Sequence, residues 1–515
     1  MFHQEIKLSV KFKSKAYFII GVCLFFISNS FGNGQGIGQP SSNPITHILF
    51  EHNNSIYQKD PSINIIRPFY KYKFSHAINI SYTSLNFYNS GFNNLHNNGA
   101  IIAYPKLSNY LSYSFSYFGN FVYVRFSPLL QKNNSPVSLP LINGNFSYLN
   151  DKKADISLKV YSQFLSQSTF ALHYNGLGFG ISNESMWFGP GFHSSLSMSN
   201  NAPGFKHYFI GTLKQQRIAQ FGFNFRYFVS ERNNDQSSFY HTSLASTITY
   251  YNNPTITVGF NRTYLSGGVE KIIWSIEDAA KLVFEPLFGE SKKNLKYVGQ
   301  YEGEPDYWDP WDQLLVGFLN VYFPQPKAHF YFELGTDDSR ANITDLKAHW
   351  DHAMGYIIGF KKYGILGNPS LFIGFESMSN KTTTNTLNPK FYRGNWRTPN
   401  FYNKSNYLHS SYEGRRWAAH SGSDSDDKII MLGYIKGDFS IISSYNIERH
   451  GVVSQNYPEK KHEVILRFSK QKNHIVYTLY LENEKIYNYN FELNSNPEVS
   501  NVIGLGIQYN LGIDK

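Results

Sequence analysis

The feature of this sequence that most constrains its fold is an alternation of apolar and polar residues with a period of two. It is clearest near the C-terminus, where Leu505, Ile507, Tyr509, Leu511 and Ile513 alternate with glycine, glutamine and asparagine. Successive side chains of a β-strand point to opposite faces of the sheet, so this segment predicts a strand with one apolar and one polar face. Such a strand is what a closed transmembrane barrel needs, because an open sheet edge is not stable in lipid.

The same pattern recurs along the chain, between clusters of turn-forming residues. Its clearest members are Leu111–Tyr117, Phe221–Tyr227, Phe330–Leu334 and Ile475–Leu481. At roughly 20 to 25 residues for each strand with its loop, the chain allows about 16 to 20 strands. A soluble β-sandwich or propeller also alternates, but we find no regular repeat of the length of a propeller blade. The predicted fold is all-β, a transmembrane antiparallel β-barrel.

Composition favours a barrel over a soluble protein or a bundle of membrane helices. Aromatic residues make up 17% of the chain and charged residues only 16%, whereas soluble domains have about 25% charged residues. No segment after residue 33 approaches the 18 or so continuous apolar residues that predict a membrane helix. A barrel accounts for both facts, because its strands alternate lipid-facing and lumen-facing side chains.

The first 33 residues have the three parts of a secretory signal peptide. Four lysines between Lys7 and Lys15 precede the apolar stretch Ala16–Ile27, and small or polar residues follow. This stretch is shorter than the roughly 20 residues of a transmembrane helix, although a short membrane anchor is the alternative. Cys23, the only cysteine, lies within it, so the exported chain has no disulfide. We therefore predict a signal peptide at 1–33, a barrel over 34–515 and a location in the Gram-negative outer membrane.

One stretch departs from the period of two. In residues 274–289, apolar side chains from Ile276 to Leu287 follow helical spacing, and Ser275 is suited to cap a helix. We predict a short amphipathic helix outside the lipid-facing band, with a loop containing a helical turn as the alternative.

The densest motif is the segment Trp187–Phe209, where a Trp-Phe-Gly-Pro-Gly run precedes serines and asparagines. Glycine and proline impose unusual backbone geometry, and the serines and asparagines supply neutral hydrogen-bonding groups. The segment resembles the capsule-assembly Wzi family of outer-membrane proteins, whose pattern is W-W-G-P-G followed by serines, a leucine and S-N-N-A. The matching residues are Trp187, Gly189, Pro190, Gly191, Ser195, Leu196, Ser199, Asn200, Asn201 and Ala202. Phe188 replaces the second tryptophan, and Pro203 and Gly204 stand where the family has Arg-Pro.

Two further blocks resemble the same family, in the expected order. One is Tyr331–Asp338, and the other is Tyr407–Asp426, which follows a Y…G…H-x-G-x-D-S pattern. The resemblance implies a barrel of about 18 strands with a few short helices, a small bundle, at its periplasmic end. It also implies lectin-like binding of capsular polysaccharide, which helps to hold the capsule on the cell.

Residues 301–312, YEGEPDYWDPWD, interleave aromatic and acidic side chains. Sugar sites commonly combine aromatic faces for the apolar side of the ring with polar groups for the hydroxyls. The candidate polysaccharide-binding residues are therefore Tyr307, Trp308, Asp309, Trp311 and Asp312. A calcium site without EF-hand spacing and a solvated loop or interfacial aromatic anchor are the alternatives.

The remaining candidates favour structural roles. The cluster Ser423–Asp427 is predicted to be a solvated turn rather than an ion site, and Trp187 to pack a loop rather than to stack on a sugar. The sequence has no G-x-S-x-G elbow, no H-E-x-x-H helix and no glycine-rich phosphate loop. It therefore predicts no catalytic residue, no metal site, no cofactor and no enzymatic activity.

The leading functional prediction is a lectin-like protein that binds surface polysaccharide and helps to assemble or anchor it. Without residues 1–33 the chain carries 43 basic and 36 acidic residues, and this basicity either favours anionic glycans and lipopolysaccharide or is simply spread over loops. The expected partners are capsular or extracellular polysaccharide, outer-membrane lipid and polysaccharide-export machinery, and not nucleic acid. A diffusion channel or transporter, and a glycan-processing enzyme, are the alternatives.

Overall fold

The structure, a computed structural model, describes residues 44–57, 65–68, 77–91, 96–133, 146, 160–163, 165–233, 238–267, 275–284, 311–337, 353–381, 401–402 and 410–513. Its helices are α1 (Pro44–Tyr57) and α2 (Ile276–Leu282), with a 3-10 turn at Tyr489–Phe491. Its strands are β1 (Ile66–Arg67), β2 (Ala77–Asn89), β3 (Lys106–Phe118), β4 (Val122–Phe126), β5 (Leu129–Asn133), β6 (Val160–Gln163), β7 (Thr169–Tyr174), β8 (Leu177–Ser182), β9 (Trp187–Phe188), β10 (His207–Thr212), β11 (Gln216–Ile218), β12 (Phe221–Asn233), β13 (Ser238–Tyr250), β14 (Thr255–Gly267), β15 (Trp311–Phe323), β16 (Ala328–Asp337), β17 (Met354–Ile365), β18 (Asn368–Ser379), β19 (Ser411–Tyr412), β20 (Arg415–Arg416), β21 (Ser425–Lys436), β22 (Phe439–His450), β23 (Glu459–Lys472), β24 (Ile475–Tyr487) and β25 (Glu498–Ile513). The signal peptide predicted at residues 1–33 lies outside the described residues.

The barrel strands form one closed antiparallel sheet. Three positions around the barrel are each filled by two short strands in line, β4 with β5, β6 with β7 and β10 with β11, so the barrel has 18 staves. The last strand, β25, pairs with the first stave, β2, and places Ile513 opposite Ile78. The predicted barrel, its strand number and its closure by the C-terminal strand are confirmed.

Burial along the strands is the reverse of that in a soluble protein. In β14 the side chains of Ile256, Val258 and Phe260 are exposed, while Thr257 and Asn261 are fully buried. The exposed apolar side chains form the outer face that lipid covers in a membrane barrel, and the polar ones face the lumen. The polar residues are buried because the lumen of this barrel is packed with protein.

The two ends of the barrel differ in the length of their connections. At one end two to four residues join neighbouring strands, as at 366–367 and 437–438, whereas connections at the other end extend to the segment 380–424. Short turns are periplasmic and long loops extracellular in outer-membrane barrels, so we assign the short-turn end to the periplasm.

Helix α1 lies inside the lumen at this periplasmic end. His52 Nε2 lies 3.0 Å from the carbonyl oxygen of Pro369, and Lys361 Nζ donates to Glu51 Oε2 at 2.6 Å. The helix therefore occupies the end of the barrel at which the family resemblance implies a helical bundle.

Helix α2 lies within the stretch 274–289 for which a helix is predicted, of which residue 274 and residues 285–289 fall outside the described part. It packs on the outer face of the barrel near the extracellular end. The Tyr227 hydroxyl donates to the carbonyl of Ala280 (2.7 Å), and Arg262 Nη1 donates to that of Val283 (3.1 Å). Among the described residues, no helix combines the length and the apolar character needed to cross a membrane.

Two segments that belong to long extracellular connections fill the lumen. We call residues 184–205 and 415–424 the plug segments. Every residue in them is buried except Gly204, which is partly buried. Phe188, Leu196 and Trp417 join them to the main hydrophobic core, which includes residues of the barrel wall. The core of this protein is therefore the contact between its plug segments and the inner face of its barrel.

Candidate functional site

The three motif blocks meet inside the lumen, although they are far apart in the chain. Ser199 Oγ of the first block donates to the carbonyl of Ala418 in the third (2.5 Å), and Asn201 Nδ2 donates to that of Arg416 (3.0 Å). The neutral hydrogen-bonding groups of the first block therefore bond the two plug segments to each other.

The second block contributes from the barrel wall. Asp337 Oδ2 accepts the backbone N–H of Tyr402 at 2.5 Å. The Tyr402 hydroxyl in turn donates to the carbonyl of Leu196 at 2.6 Å. Hydrogen bonds thus connect Asp337 on β16 through Tyr402 to Leu196 in the first plug segment.

Two wall carboxylates hold the backbone of the Gly-Pro-Gly turn. Glu333 on β16 accepts the N–H groups of Gly191 (3.4 Å) and Leu196 (3.2 Å). Glu376 on β18 accepts three consecutive N–H groups, those of residues 192–194, at 2.6 to 3.3 Å. Hydrogen bonds in folded proteins are worth about 0.5–1.5 kcal/mol each, and about 1.5–3 kcal/mol where the acceptor is charged. These two side chains therefore fix the position of the first plug segment.

The glycines of this turn are required by close contacts. Gly189 has φ of +127°, and a Cβ at this position would lie 2.1 Å from Glu333 Oε1. Gly191 is equally tight, since its Cβ would lie 2.1 Å from the carbonyl oxygen of Ser194. The turn can therefore lie this close to its neighbours only because neither glycine has a Cβ.

Trp187 packs inside the lumen against an arginine. The Arg67 guanidinium lies 4.7 Å from the centre of the indole ring and donates to the carbonyls of Gly189 (3.2 Å) and Gly191 (3.0 Å). Burial lowers the pKa of Arg67 to about 9. The indole itself is fully buried, so in this conformation both of its faces contact protein and are closed to a sugar.

A buried group of histidines and carboxylates lies where the plug segments meet β21, β22 and β23. We call it the His–carboxylate cluster, and its members are His96, His193, His420, Asp427, Glu448 and Glu463. Asp427 Oδ2 lies 3.0 Å from His193 Nε2 and 3.2 Å from His420 Nε2. Burial disfavours charge on the His193 ring, but the Asp427 carboxylate outweighs it and raises the pKa of His193 to about 9.

The other members of the cluster extend it along the wall. His96 stacks on the His420 ring with 4.6 Å between ring centres, and its Nε2 lies 2.6 Å from Glu463 Oε2. Burial lowers the pKa of His96, although Glu463 acts in the opposite direction. Lys461 Nζ lies 2.6 Å from Glu448 Oε2. The extracellular half of the lumen therefore holds a dense network of paired charges.

The cluster Ser423–Asp427 is not the solvated turn that its sequence suggests. All five residues are buried, because they enter β21 beneath the extracellular loops. Asp424 Oδ2 accepts the backbone N–H groups of Val453 (2.9 Å) and Ser454 (2.7 Å), and Asp426 forms an ion pair with Arg449. Each carboxylate has a specific protein partner in place of water.

A small polar cavity of about 150 Å³ lies beside the plug, against the inner face of β2 to β5. Its lining is mostly neutral and polar, and Asn200 of the first motif block reaches it. The lining residues are Ser81, Thr83, Asn98, Ala100, Ile101, Ser112, Ser114, Arg125, Ser127, Leu129, Ser166, Gln167 and Asn200.

The predicted polysaccharide-binding residues are only partly within the described chain. Tyr307, Trp308 and Asp309 fall outside it. Trp311 and Asp312 begin β15 and point to opposite faces of the barrel wall: Trp311 packs outside with α2, and Asp312 faces the lumen. Both are buried, so the structure does not bring these two together as one exposed sugar-binding surface.

Sequence reasoning missed the wall residues that hold the plug. Glu376, Glu448, Glu463 and Lys461 lie in no motif considered above, yet each faces the lumen and binds another residue. The signal was present in the strands, since a charged residue on the polar side of an alternating segment is placed in the lumen. A buried charge of this kind requires a partner, which marks it as a contact point.

These features define a class of protein, an outer-membrane β-barrel whose lumen is filled by its own loops. The sequence profile of the family "Capsule assembly protein Wzi" matches residues 94–496. This chain therefore belongs to the Wzi capsule-assembly family.

A solved structure of a Wzi protein has the same fold, and other outer-membrane barrels match less well. The Escherichia coli outer-membrane protein Wzi, described as a carbohydrate-binding β-barrel involved in group 1 capsule assembly, has a TM-score of 0.52 at 11% identity, over 91% of this chain and 88% of that one. Acinetobacter baumannii OccAB4 has a TM-score of 0.42 at 11% identity, over 85% and 99% of the two chains. Pseudomonas aeruginosa OprD has 0.41 at 7% identity, over 85% and 95%. A comparison with curated proteins gave no match.

Proposed function

We propose that this protein binds capsular or extracellular polysaccharide in a lectin-like way and helps to assemble or anchor it at the cell surface. The observation that carries the proposal is the family match over residues 94–496. The carbohydrate binding described for the Escherichia coli barrel supports the same reading. In this proposal a signal peptide at residues 1–33 exports the chain, and outer-membrane lipid and polysaccharide-export machinery are its other partners.

The filled lumen favours binding over transport. A diffusion channel needs a continuous water-filled path, but residues 184–205 and 415–424 are buried against the wall across the lumen. Hydrogen bonds that Glu333 and Glu376 accept from backbone N–H groups hold the first of these segments. Removing the plug segments from the lumen would break these bonds and expose the core.

The filled lumen also favours binding over catalysis. The His–carboxylate cluster has the residue types of an acid–base site, but its ionisable side chains are at most 10% exposed. A polymer would have to displace the plug to reach them. We therefore propose that the protein binds polysaccharide without cleaving it.

The polysaccharide contacts in this proposal lie on the extracellular loops. The sequence YEGEPDYWDPWD runs into β15, which begins at Trp311, and we propose its residues Tyr307, Trp308 and Asp309 as the main sugar contacts. An aromatic ring with neighbouring carboxylates suits a sugar with one apolar face and several hydroxyls. Trp308 is the residue on which we expect the largest effect.

The test compares cell-bound with shed polysaccharide after deletion of the protein and complementation with variants. Deletion should leave total polysaccharide unchanged and move it from the cell to the medium, and wild type should restore retention. Complementation with Trp308→Ala should retain at least about tenfold less cell-bound polysaccharide than complementation with wild type. One buried ring contact is worth about 1.5 kcal/mol, and a polymer makes such contacts at many points along its length. Tyr457→Ala, at an exposed aromatic in another extracellular loop, is the matched control. Unchanged retention after deletion would refute the proposal.

A further inference from the structure

The junction between the two plug segments and the barrel wall has the side chains of a metal site. His193 comes from the first plug segment, His420 from the second, and Asp427 from β21. One donor atom from each of these three side chains lies within 4.8 Å of the other two. All three residues are buried, and the chain brings them together from positions more than 200 residues apart.

The distances between the donor atoms match those around a tetrahedral ion. Metal–ligand bonds of about 2.0–2.1 Å in a tetrahedron place neighbouring donor atoms about 3.3 Å apart. Asp427 Oδ2 lies 3.0 Å from His193 Nε2 and 3.2 Å from His420 Nε2. Glu448 Oε2 lies 3.7 Å from His420 Nε2 but is paired with Lys461 Nζ at 2.6 Å, so it lies beside this group of three rather than within it.

Hydrogen bonding within protein alone leaves this group unsatisfied. Neither ring nitrogen of His420 makes a hydrogen bond of good geometry, although the residue is buried. His193 Nε2 lies 3.0 Å from Asp427 Oδ2, an acceptor, and 3.0 Å from Asn446 Nδ2, a donor. One ring nitrogen donates or accepts and does not do both. The Asn446 amide is held in this orientation because its Nδ2 also donates to Asp427 Oδ1 (2.5 Å) and to the carbonyl of Lys428 (3.3 Å).

A bound cation resolves both conflicts. It takes the lone pairs of the two imidazoles and of Asp427 Oδ2, while the Asn446 amide keeps its hydrogen bonds to Asp427 Oδ1 and to the carbonyl of Lys428. Nitrogen donors favour a first-row transition metal such as Zn²⁺ over Ca²⁺ or Mg²⁺, which prefer oxygen.

We propose that His193, His420 and Asp427 form a structural divalent transition-metal site that ties both plug segments to the barrel wall. The site revises the expectation of no metal that the sequence motifs give, because His193 lies more than 200 residues before the other two ligands in the chain. It is independent of the proposed polysaccharide binding.

The test uses the full-length protein, purified in detergent after refolding with or without Zn²⁺. Wild type should retain one Zn²⁺ per chain after dialysis, and the ion should raise its thermal midpoint. His420→Gln and Asp427→Asn should each weaken Zn²⁺ binding at least about a hundredfold, since each removes a direct ligand. His329→Gln, at a buried wall histidine near α1, is the matched control and should bind as wild type does. Equal binding by wild type and the ligand variants would overturn the proposal.

A second measurement on wild type alone keeps the test independent of whether the variants fold. Refolding with Co²⁺ instead of Zn²⁺ should give the intense visible absorption of a tetrahedral cobalt centre, lost when Zn²⁺ is added. The weak spectrum of hydrated Co²⁺, or a wild-type protein without stoichiometric metal, would refute the site.

Discussion

At the scale of single residues, the plug depends on positions where the backbone contacts wall carboxylates directly. Gly189 and Gly191 lie against Glu333 and Ser194 with no room for a Cβ. Arg67 covers the same turn from the other side through the carbonyls of both glycines. The Gly-Pro-Gly motif needs its glycines because the turn lies between the Glu333 carboxyl group and the Arg67 guanidinium.

Gly189→Ala is expected to loosen the plug. Its backbone conformation is one that glycine alone adopts readily, so alanine costs about 1–3 kcal/mol from strain, and its Cβ also displaces the Glu333 carboxylate. Thermal unfolding in detergent, followed by near-ultraviolet circular dichroism, should show a lower midpoint. Gly437→Ala, at a turn with φ of +58° and nothing within 4 Å, is the control for backbone strain alone. An equal fall in both variants would contradict the proposed contact.

At the scale of elements, α1 is attached to the inner wall by ionisable groups. Glu51 accepts from Lys361 Nζ (2.6 Å) and from the Tyr363 hydroxyl (2.7 Å), and its other oxygen lies 3.1 Å from His47 Nε2. Burial works against charge on Glu51, but Lys361 together with His47 and His329 outweighs it and holds the pKa of this carboxyl well below its usual range. Burial also lowers the pKa of His47 to about 4, with Arg67 adding to the shift.

The docking of α1 is therefore expected to weaken in acid. An undocked His47 takes up a proton near pH 6.5 and a docked one near pH 4, so the undocked state binds more protons between these values and docking loses stability as the pH falls through this window. Between pH 6.5 and pH 5 the loss is about 2 kcal/mol. Glu51, whose folded pKa is depressed, adds a further loss below about pH 4.5.

Hydrogen exchange of the α1 amides, corrected for the intrinsic pH dependence, measures this effect. Protection should fall on going from pH 7 to pH 5 in wild type. His47→Gln should reduce that pH dependence, and His52 on the same helix, whose pKa burial also lowers, should account for part of what is left. His474→Gln, at an exposed periplasmic turn, should leave the pH dependence intact. A wild-type protection factor that stays constant over this range would contradict the prediction.

At the scale of the whole molecule, segments of the extracellular connections are packed inside the barrel. The staves provide lipid-facing apolar side chains outside and paired polar side chains inside. Glu333 and Glu376 on two neighbouring parts of the wall each hold several backbone groups of the plug. The inner wall of the barrel therefore holds these loop segments in fixed positions.

Wild-type protein in planar bilayers should accordingly show no steady conductance of porin size. The double variant Glu333→Gln with Glu376→Gln weakens hydrogen bonds that hold the first plug segment, worth about 0.5–1.5 kcal/mol each or more to a charged acceptor, and should increase the frequency of open events at least about tenfold. Glu492→Gln, at an exposed position outside the lumen, is the control and should behave as wild type does. Steady conductance by wild type would instead support a channel.

A structural feature of this protein could be predicted from its sequence when the residues that determine it lie close together in the chain. The alternation in segments such as Ile475–Leu481 determined the strands, the barrel and the lipid-facing band, because the period of two assigns each side chain to one face whatever the neighbouring strand is. The motif around Trp187 determined the family. Each of these signals is contained within a short stretch of chain.

Only the tertiary structure decided what the lumen-facing positions do. Glu376 contacts residues 192–194, and Asp427 contacts His193 and His420, through pairings that depend on which staves adjoin and how far the loops fold inward. Ser423–Asp427 looked like a solvated turn because nothing in its local sequence shows that loops cover it. Burial and ion pairing are properties of distant segments brought together, so the filled lumen and its His–carboxylate cluster were set by the closed barrel rather than by any single stretch of chain.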